Sequence, residues 1–425
     1  MSEIKNLQNF LDNSHSSYHA VANLAAQLTE AGYTRLTERE AWELIPGGKY
    51  FLVRGGTAII AFRIPEGEPT GFMMSASHSD RPTFKVKENA ESVGAYTKML
   101  VERYGGMLIS TWLDRPLSIA GRVVVETEKG VQAKLVDIDR DLLMIPNVAI
   151  HMNRSANDGY KWNPATDTLP LMGSKEAKGK LNEILEEAAG GKILGHDMYL
   201  YIRQKSSIWG LNEEYISSAA LDDLECAWAC TQGFLAAPET SAIPVLCVFD
   251  NEEVGSSSAA GAAGDLLESV LVRICEAREL DIFRLLANSF MVSADNGHAL
   301  HPNHPELADA ANAPIMGGGV VIKFNASQRY CTDGFSAAVF RRICGKADVP
   351  TQTYCNRADI AGGSTLGNIS LHHVSVPTID IGVAQLAMHS CFETGSVADA
   401  VHLKNALAAF YGSVLADDGE GCAIL

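Results

Sequence analysis

The sequence has no apolar run long enough to cross a membrane. Its first residues, MSEIKNLQNFLDNSHSSYHAV, lack the apolar centre of a secretory leader. Neither a membrane partner nor export is expected, and the compartment expected is the cytoplasm. Basic charge is scarce: 34 Lys and Arg face 51 Asp and Glu, a formal net charge of −17. That balance disfavours nucleic-acid backbones and anionic bilayers. It gives no general attraction to acidic ligands either, so any that binds needs a local basic residue. The nine cysteines include no C-x-x-C pair. Most lie among apolar residues, as small buried thiols do, which argues against a disulfide scaffold. Also missing are internal repeats, low-complexity tracts, and the H-E-x-x-H, G-x-S-x-G and phosphate-loop motifs of other hydrolases and nucleotide binders.

What is present is a chain of 425 residues, 47% hydrophobic, enough for a large core and two or three domains. Residues 1–30 carry apolar side chains at helical spacing. KYFLVR (49–54), TAIIAFRI (57–64) and GFMMSAS (71–77) read as strands. From about Lys85 to Ser217 the pattern turns β-rich, with VVVET, AKLVDI and MYLYIRQ and one solvated helix in SKEAKGKLNEILEEAAG (174–190). Beyond Ser217 it becomes α/β. Helices are expected over 221–237, 266–289 and 402–416, and strands at IPVLCVFD (243–250), FMVSAD (290–295) and PTIDIGV (377–383). The simplest organisation is one α/β domain built from residues 1–85 and 217–425, interrupted by a β-rich insert over 86–216.

The ionisable residues fall at strand ends, where open α/β sheets bind ligands. His78 and Asp80 follow strand 71–77, and Asp250, Glu252 and Glu253 follow 243–249. Asp295 and His298 follow 290–293, His389 lies beyond 377–383, and Asp222 and Asp223 open a helix. If one sheet holds all these strands, His, Asp and Glu converge at one edge. Such a set suits two close divalent cations, each with an imidazole and a terminal carboxylate, sharing a bridging carboxylate and a water of lowered pKa. A free carboxylate would then serve as general base. Neighbouring side chains diverge, so Glu252 and Glu253 can divide ligation and base between them. Asp80, two residues from His78, can fix its tautomer. Each residue also has an ordinary reading: a histidine at a strand end is commonly solvated, and acids opening a helix are commonly caps.

Nine ordered segments resemble the M18 metallopeptidases, a family that includes aspartyl aminopeptidases. They are FLDNSHSSYHAV (10–21), ASHSDRPTFKVK (76–87), YGGMLISTWLDRPLSIAGRV (104–123), SSAALDDLECA (217–227), DNEEVGSSSAAGA (250–262), SADNGHALHPNHPE (293–306), IKFNASQRYCTDG (322–334), RADIAGGSTLGNI (357–369) and DIGVAQLAMHS (380–390). The resemblance implies a mixed-sheet, zinc-exopeptidase-like α/β catalytic domain with an inserted dimerisation domain. It implies His78, Asp222, Glu253, Asp295 and His389 as ligands of two divalent ions, zinc ahead of manganese or cobalt, with Asp222 bridging. Glu252 becomes the base and Asp80 the partner of His78. His298 would contact substrate, and Lys323 would pair with an acidic N-terminal side chain. Peptides are the implied substrates, and dimers assembling into a dodecamer the implied state.

Two positions depart from the family pattern. Ser110 stands where many relatives have a histidine that reaches a neighbouring subunit's site, and Asp223 stands where relatives often have Asn. The expected activity is removal of N-terminal Asp or Glu. The alternatives are the same chemistry with broader specificity, and a non-catalytic assembly or carrier protein.

Overall fold

The computed structural model describes residues 2–417 and 422–425. Its largest sheet has nine strands, in the order Thr34–Arg35, Lys49–Arg54, Ala58–Arg63, Ile243–Phe249, Phe72–His78, Phe290–Ala294, Thr378–Gly382, Val320–Phe324 and Thr351–Cys355. The central four, from Ile243–Phe249 to Thr378–Gly382, are mutually parallel. Every residue of these four strands is buried, as expected of a sheet covered on both faces, and this accounts for their unbroken apolar runs. Side chains alternate between two cores. Met73, Leu246 and Val248 face one, while Phe72, Met74, Val245 and Cys247 face the other. The flanking strands Ala58–Arg63 and Val320–Phe324 run antiparallel to their inner neighbours, so the sheet is mixed.

Helix Leu221–Ala236 is buried along almost its whole length and packs against helix Val397–Tyr411. Gly233 lets them approach: a Cβ there would lie 2.7 Å from the Leu407 Cβ and 2.9 Å from the Ala408 nitrogen. No helix among the described residues is long and apolar enough to cross a membrane.

Between Thr83 and Ile202 the chain forms a six-stranded antiparallel sheet with its own core. Asp197 ties this sheet to the nine-stranded unit. Its carboxylate accepts from Tyr18 in helix Ser17–Glu30 at 3.2 Å, from Lys85 at 3.1 Å and from Arg122 at 2.6 Å. Arg122 also lies over the Tyr18 ring, 4.7 Å from its centroid.

Several boundaries differ from the sequence expectation. The N-terminal 30 residues form two helices, Ser2–Asp12 and Ser17–Glu30, the second capped by Ser16. The helix expected over 174–190 runs only from Lys180 to Ala189, after Gly179 in a left-handed conformation, and it buries Leu181, Leu185 and Ala189. The 266–289 segment is two helices, Leu266–Arg278 and Ile282–Ala287, because Glu279 turns left-handed (φ 53°). The last helix is Val397–Tyr411, capped by Ser396, and Leu415–Asp417 is a strand.

Candidate metal centre

Because the four central strands are parallel, their carboxyl ends share one edge, and the candidate residues gather there. His78 ends its strand and Asp295 directly follows Phe290–Ala294. Beyond Ile243–Phe249, Asn251 adopts a left-handed conformation (φ 62°) that asparagine tolerates, and this turns the chain into the short 3₁₀ turn Glu252–Val254. His389 lies in the loop beyond Thr378–Gly382, itself at φ 65°. Asp222 comes from the start of helix Leu221–Ala236, where its backbone departs from helical geometry.

Asp222 sits between the two histidines. Its Oδ1 is 3.5 Å from His78 Nε2 and its Oδ2 is 3.5 Å from His389 Nε2. Three sets of ligand atoms lie mutually within 4.8 Å: His78 with Asp222, Asp223 and Asp295; Asp222 with Glu253 and His389; and His78 with Glu252 and Glu253. Asp222 belongs to the first two. Three oxygens here, Asp222 Oδ1, Asp223 Oδ1 and Glu253 Oε1, are buried without a hydrogen-bond partner. Unpaired buried carboxylate oxygens are costly.

Electrostatics tell the same story. Burial pushes the carboxyls of Asp223, Glu253 and Asp295 above the usual range, and repulsion from Asp222 adds to it in each. Burial likewise raises Glu252, to about 7. Burial also acts on Asp222, yet the imidazoles of His389 and His78 that face it at 3.5 Å outweigh it and hold that carboxyl low. Both histidines are raised despite burial, His78 chiefly by Asp223 and His389 chiefly by Asp222. A crowded set of buried acids with orphaned oxygens and two imidazoles has the donor chemistry of a divalent-cation site, and the residues fit such ions.

The partners around the set are ordered. His78 Nδ1 faces the Asp80 carbonyl at 3.2 Å and its Oδ1 at 3.3 Å, so Nε2 points at Asp222. The Asp80 carboxylate also accepts from the backbone N–H groups of Glu252 (3.1 Å) and Glu253 (3.2 Å). Tyr104, from the six-stranded sheet, donates to Asp80 Oδ2 at 2.7 Å and accepts from Asn251 at 2.8 Å. Next to it, Gly105 (φ 75°) packs on Glu253, whose Cβ would be 3.1 Å from a side chain there. Leu108 donates its N–H to the His389 carbonyl at 3.0 Å. Ser110 is exposed in the 3₁₀ turn Ile109–Trp112.

The other expected residues lie further out. Asp250 is buried beside the set without joining it. His298 lines a cavity of about 340 Å³ with His301, His304, Gln385 and Ala387. Lys323 is only 1% exposed, and its ammonium is engaged inside the protein. It donates to the Asp295 carbonyl at 2.7 Å and lies 3.7 Å from the Asp295 carboxylate. Lys323 thus holds the Asp295 loop.

Sequence reasoning passed over Tyr104 and Glu393. Glu393 accepts from the backbone N–H groups of both Asp222 and His389. Such bonds leave no spacing signature, and a carboxylate three residues after His389-Ser390 was the only visible sign. The family resemblance assigns ligation to Asp222 and not to Asp223. Its Oδ2 accepts from the His78 N–H at 3.1 Å.

Comparison with known proteins gives consistent matches along the whole chain. The family described as aminopeptidase I zinc metalloprotease (M18) matches residues 10–411. A relative from Clostridium acetobutylicum, named probable M18 family aminopeptidase 2, is 42% identical over 424 residues, 96% of this chain and 98% of the relative. A solved structure titled as the Ape4 and Nbr1 complex superposes with a TM-score of 0.93 at 34% identity, covering 97% of this chain and 85% of that one. The mApe1 dodecamer of S. cerevisiae superposes at 0.85 with 25% identity, covering 96% and 95%.

Proposed function

The chain belongs to the M18 family of zinc metallo-aminopeptidases, and from that premise we propose that it removes N-terminal residues from peptides, Asp or Glu by preference, with two divalent metal ions. The observation that carries the dinuclear reading is Asp222, whose two oxygens face His78 and His389 separately. In this reading His78 and Asp295 would hold one ion, Glu253 and His389 would hold the other, and Asp222 would serve both. Bound there, the ions would polarise the scissile carbonyl and make a water more acidic.

The chain's own residues do the rest. Asp80 keeps the His78 Nδ1 side occupied, so that Nε2 is free to ligate. Glu252, in the turn beside Glu253, takes a proton from the attacking water and returns it to the leaving amine. His298, which lines the 340 Å³ cavity, contacts the substrate.

Acidic preference rests on the family resemblance and on Lys323. A substrate carboxylate reaching Lys323 competes with the Asp295 carbonyl 2.7 Å away. That burial favours a second reading, the same hydrolysis with broader N-terminal specificity. We also propose a homo-oligomer, on the strength of the dodecameric mApe1, with residues 86–216 as the dimerising insert.

Matched aspartyl, glutamyl and leucyl chromogenic substrates, assayed before and after chelation and zinc restoration, test these readings together. Zinc-dependent turnover favouring Asp or Glu supports the first, and equal or leucyl-biased turnover supports the second. Turnover that survives full removal of metal contradicts both.

A further inference from the structure

One buried chain of hydrogen bonds runs beneath the site and joins three of its loops. Its centre is Glu393, 1% exposed. Oε2 accepts from the Asp222 N–H at 2.9 Å and Oε1 from the His389 N–H at 2.7 Å. The Gln385 amide reaches Oε1 at 3.5 Å, and its own oxygen accepts from Asn296 at 2.9 Å. Asn296 follows Asp295 in the chain and donates to the Leu221 carbonyl at 3.1 Å, directly before Asp222. The segments carrying Asp222, Asp295 and His389 are therefore tied to one another through side chains that need touch no metal.

Burying a carboxyl is costly unless its oxygens are satisfied. The strand Glu393–Ser396 does not need this side chain, because its backbone already pairs with Tyr215–Ser218. What the carboxylate adds is geometry. It has two acceptor oxygens for two N–H groups, and those N–H groups belong to the residues whose side chains meet at 3.5 Å.

We propose that Glu393 is a positioning residue that fixes Asp222 against His389, and so shapes the metal position these two share. The proposal rests on the dinuclear reading above. A glutamine at 393 keeps the volume but offers one acceptor and one donor, so only one of the two N–H groups can be accepted and one loop must shift. Residues that orient metal ligands in this way typically contribute about 10–100-fold to metal affinity.

The test uses the full-length assembled protein, stripped of metal and titrated with zinc against a chromophoric chelator, as wild type, Glu393→Gln and Glu393→Asp. Folding and assembly are checked by circular dichroism and sedimentation. The expected result is two zinc ions per wild-type chain, with one of the two held about 10–100-fold more weakly in folded Glu393→Gln. Its kcat should fall at limiting zinc and recover at excess zinc, with little change in KM. Glu393→Asp keeps both acceptors but is one methylene short, so it should show a smaller loss at the same position, and it carries the test if the glutamine variant fails to fold. Two zinc ions in wild type and the same affinities in a folded variant overturn the proposal alone. Fewer than two in wild type overturn the dinuclear reading, and the proposal with it.

Discussion

Tyr104 reaches out of the six-stranded sheet to donate a hydrogen bond of 2.7 Å to Asp80, the carboxylate that faces His78. The residue is not in the nine-stranded unit that supplies the candidate ligands, yet it buttresses the group that orients one of them. Removing only its hydroxyl, in Tyr104→Phe, should lower kcat/KM by about 10–150-fold while assembly is retained, the cost of one hydrogen bond to a charged acceptor at about 1.5–3 kcal/mol. Steady-state kinetics on the assembled variant check this. Unchanged kinetics would make Tyr104 a packing residue only.

Glu252→Gln keeps the size of the side chain but cannot carry a proton between water and leaving amine. The expected loss in kcat is about 10²–10⁴-fold, with zinc content and assembly as in wild type. Metal analysis alongside turnover separates the two roles proposed for the doublet. If zinc is lost with activity, Glu252 belongs among the ligands.

Lys323→Met removes the ammonium that holds the Asp295 carbonyl. Both aspartyl and leucyl substrates should therefore lose activity, and the aspartyl substrate should lose about tenfold more, as a missing charged hydrogen bond predicts. Matched kcat/KM values on the two substrates decide the matter. Equal losses would confine Lys323 to supporting Asp295 and leave acidic preference without its residue.

Asp197 ties the six-stranded sheet to helix Ser17–Glu30 through Tyr18, and its titration gives that junction a pH dependence. Burial tends to raise its carboxyl, but hydrogen bonds from Arg122 and Lys85 outweigh this and hold it below the ordinary value. A depressed folded-state pKa contributes stability that is complete above the unfolded value, about pH 4, and lost as pH falls through the folded one. Asp197→Asn should thus cost about 1–3 kcal/mol in urea unfolding at pH 7. The gap from wild type should stay constant between pH 8 and pH 5 and narrow only below about pH 4. A gap that closes above pH 5 would assign the effect to another group.

Much of this arrangement was legible because parallel strands buried on both faces leave unbroken apolar runs, whose ends can be read directly. His78, Asp295 and the Glu252-Glu253 doublet were found in that way. Their convergence depended on strand order and on the parallel run of the central strands, which apolar runs do not encode. The burial of Lys323 was not legible for a related reason. In a strand with both faces covered, alternation does not tell a pocket from the protein interior. Glu393 acts through backbone amides and Tyr104 through an inserted sheet, so neither has a spacing to recognise. The helix breaks at Gly179 and Glu279 come from single left-handed residues, and the second is not a glycine, so composition gave no warning.

The most direct test of the central claim is a titration of metal-free protein with zinc, following turnover of an aspartyl chromogenic peptide against bound zinc per chain. Activity should rise to a plateau at two ions per chain, because Asp222 presents one oxygen to each histidine. A plateau at a single ion, or turnover independent of zinc, would contradict the two-metal account.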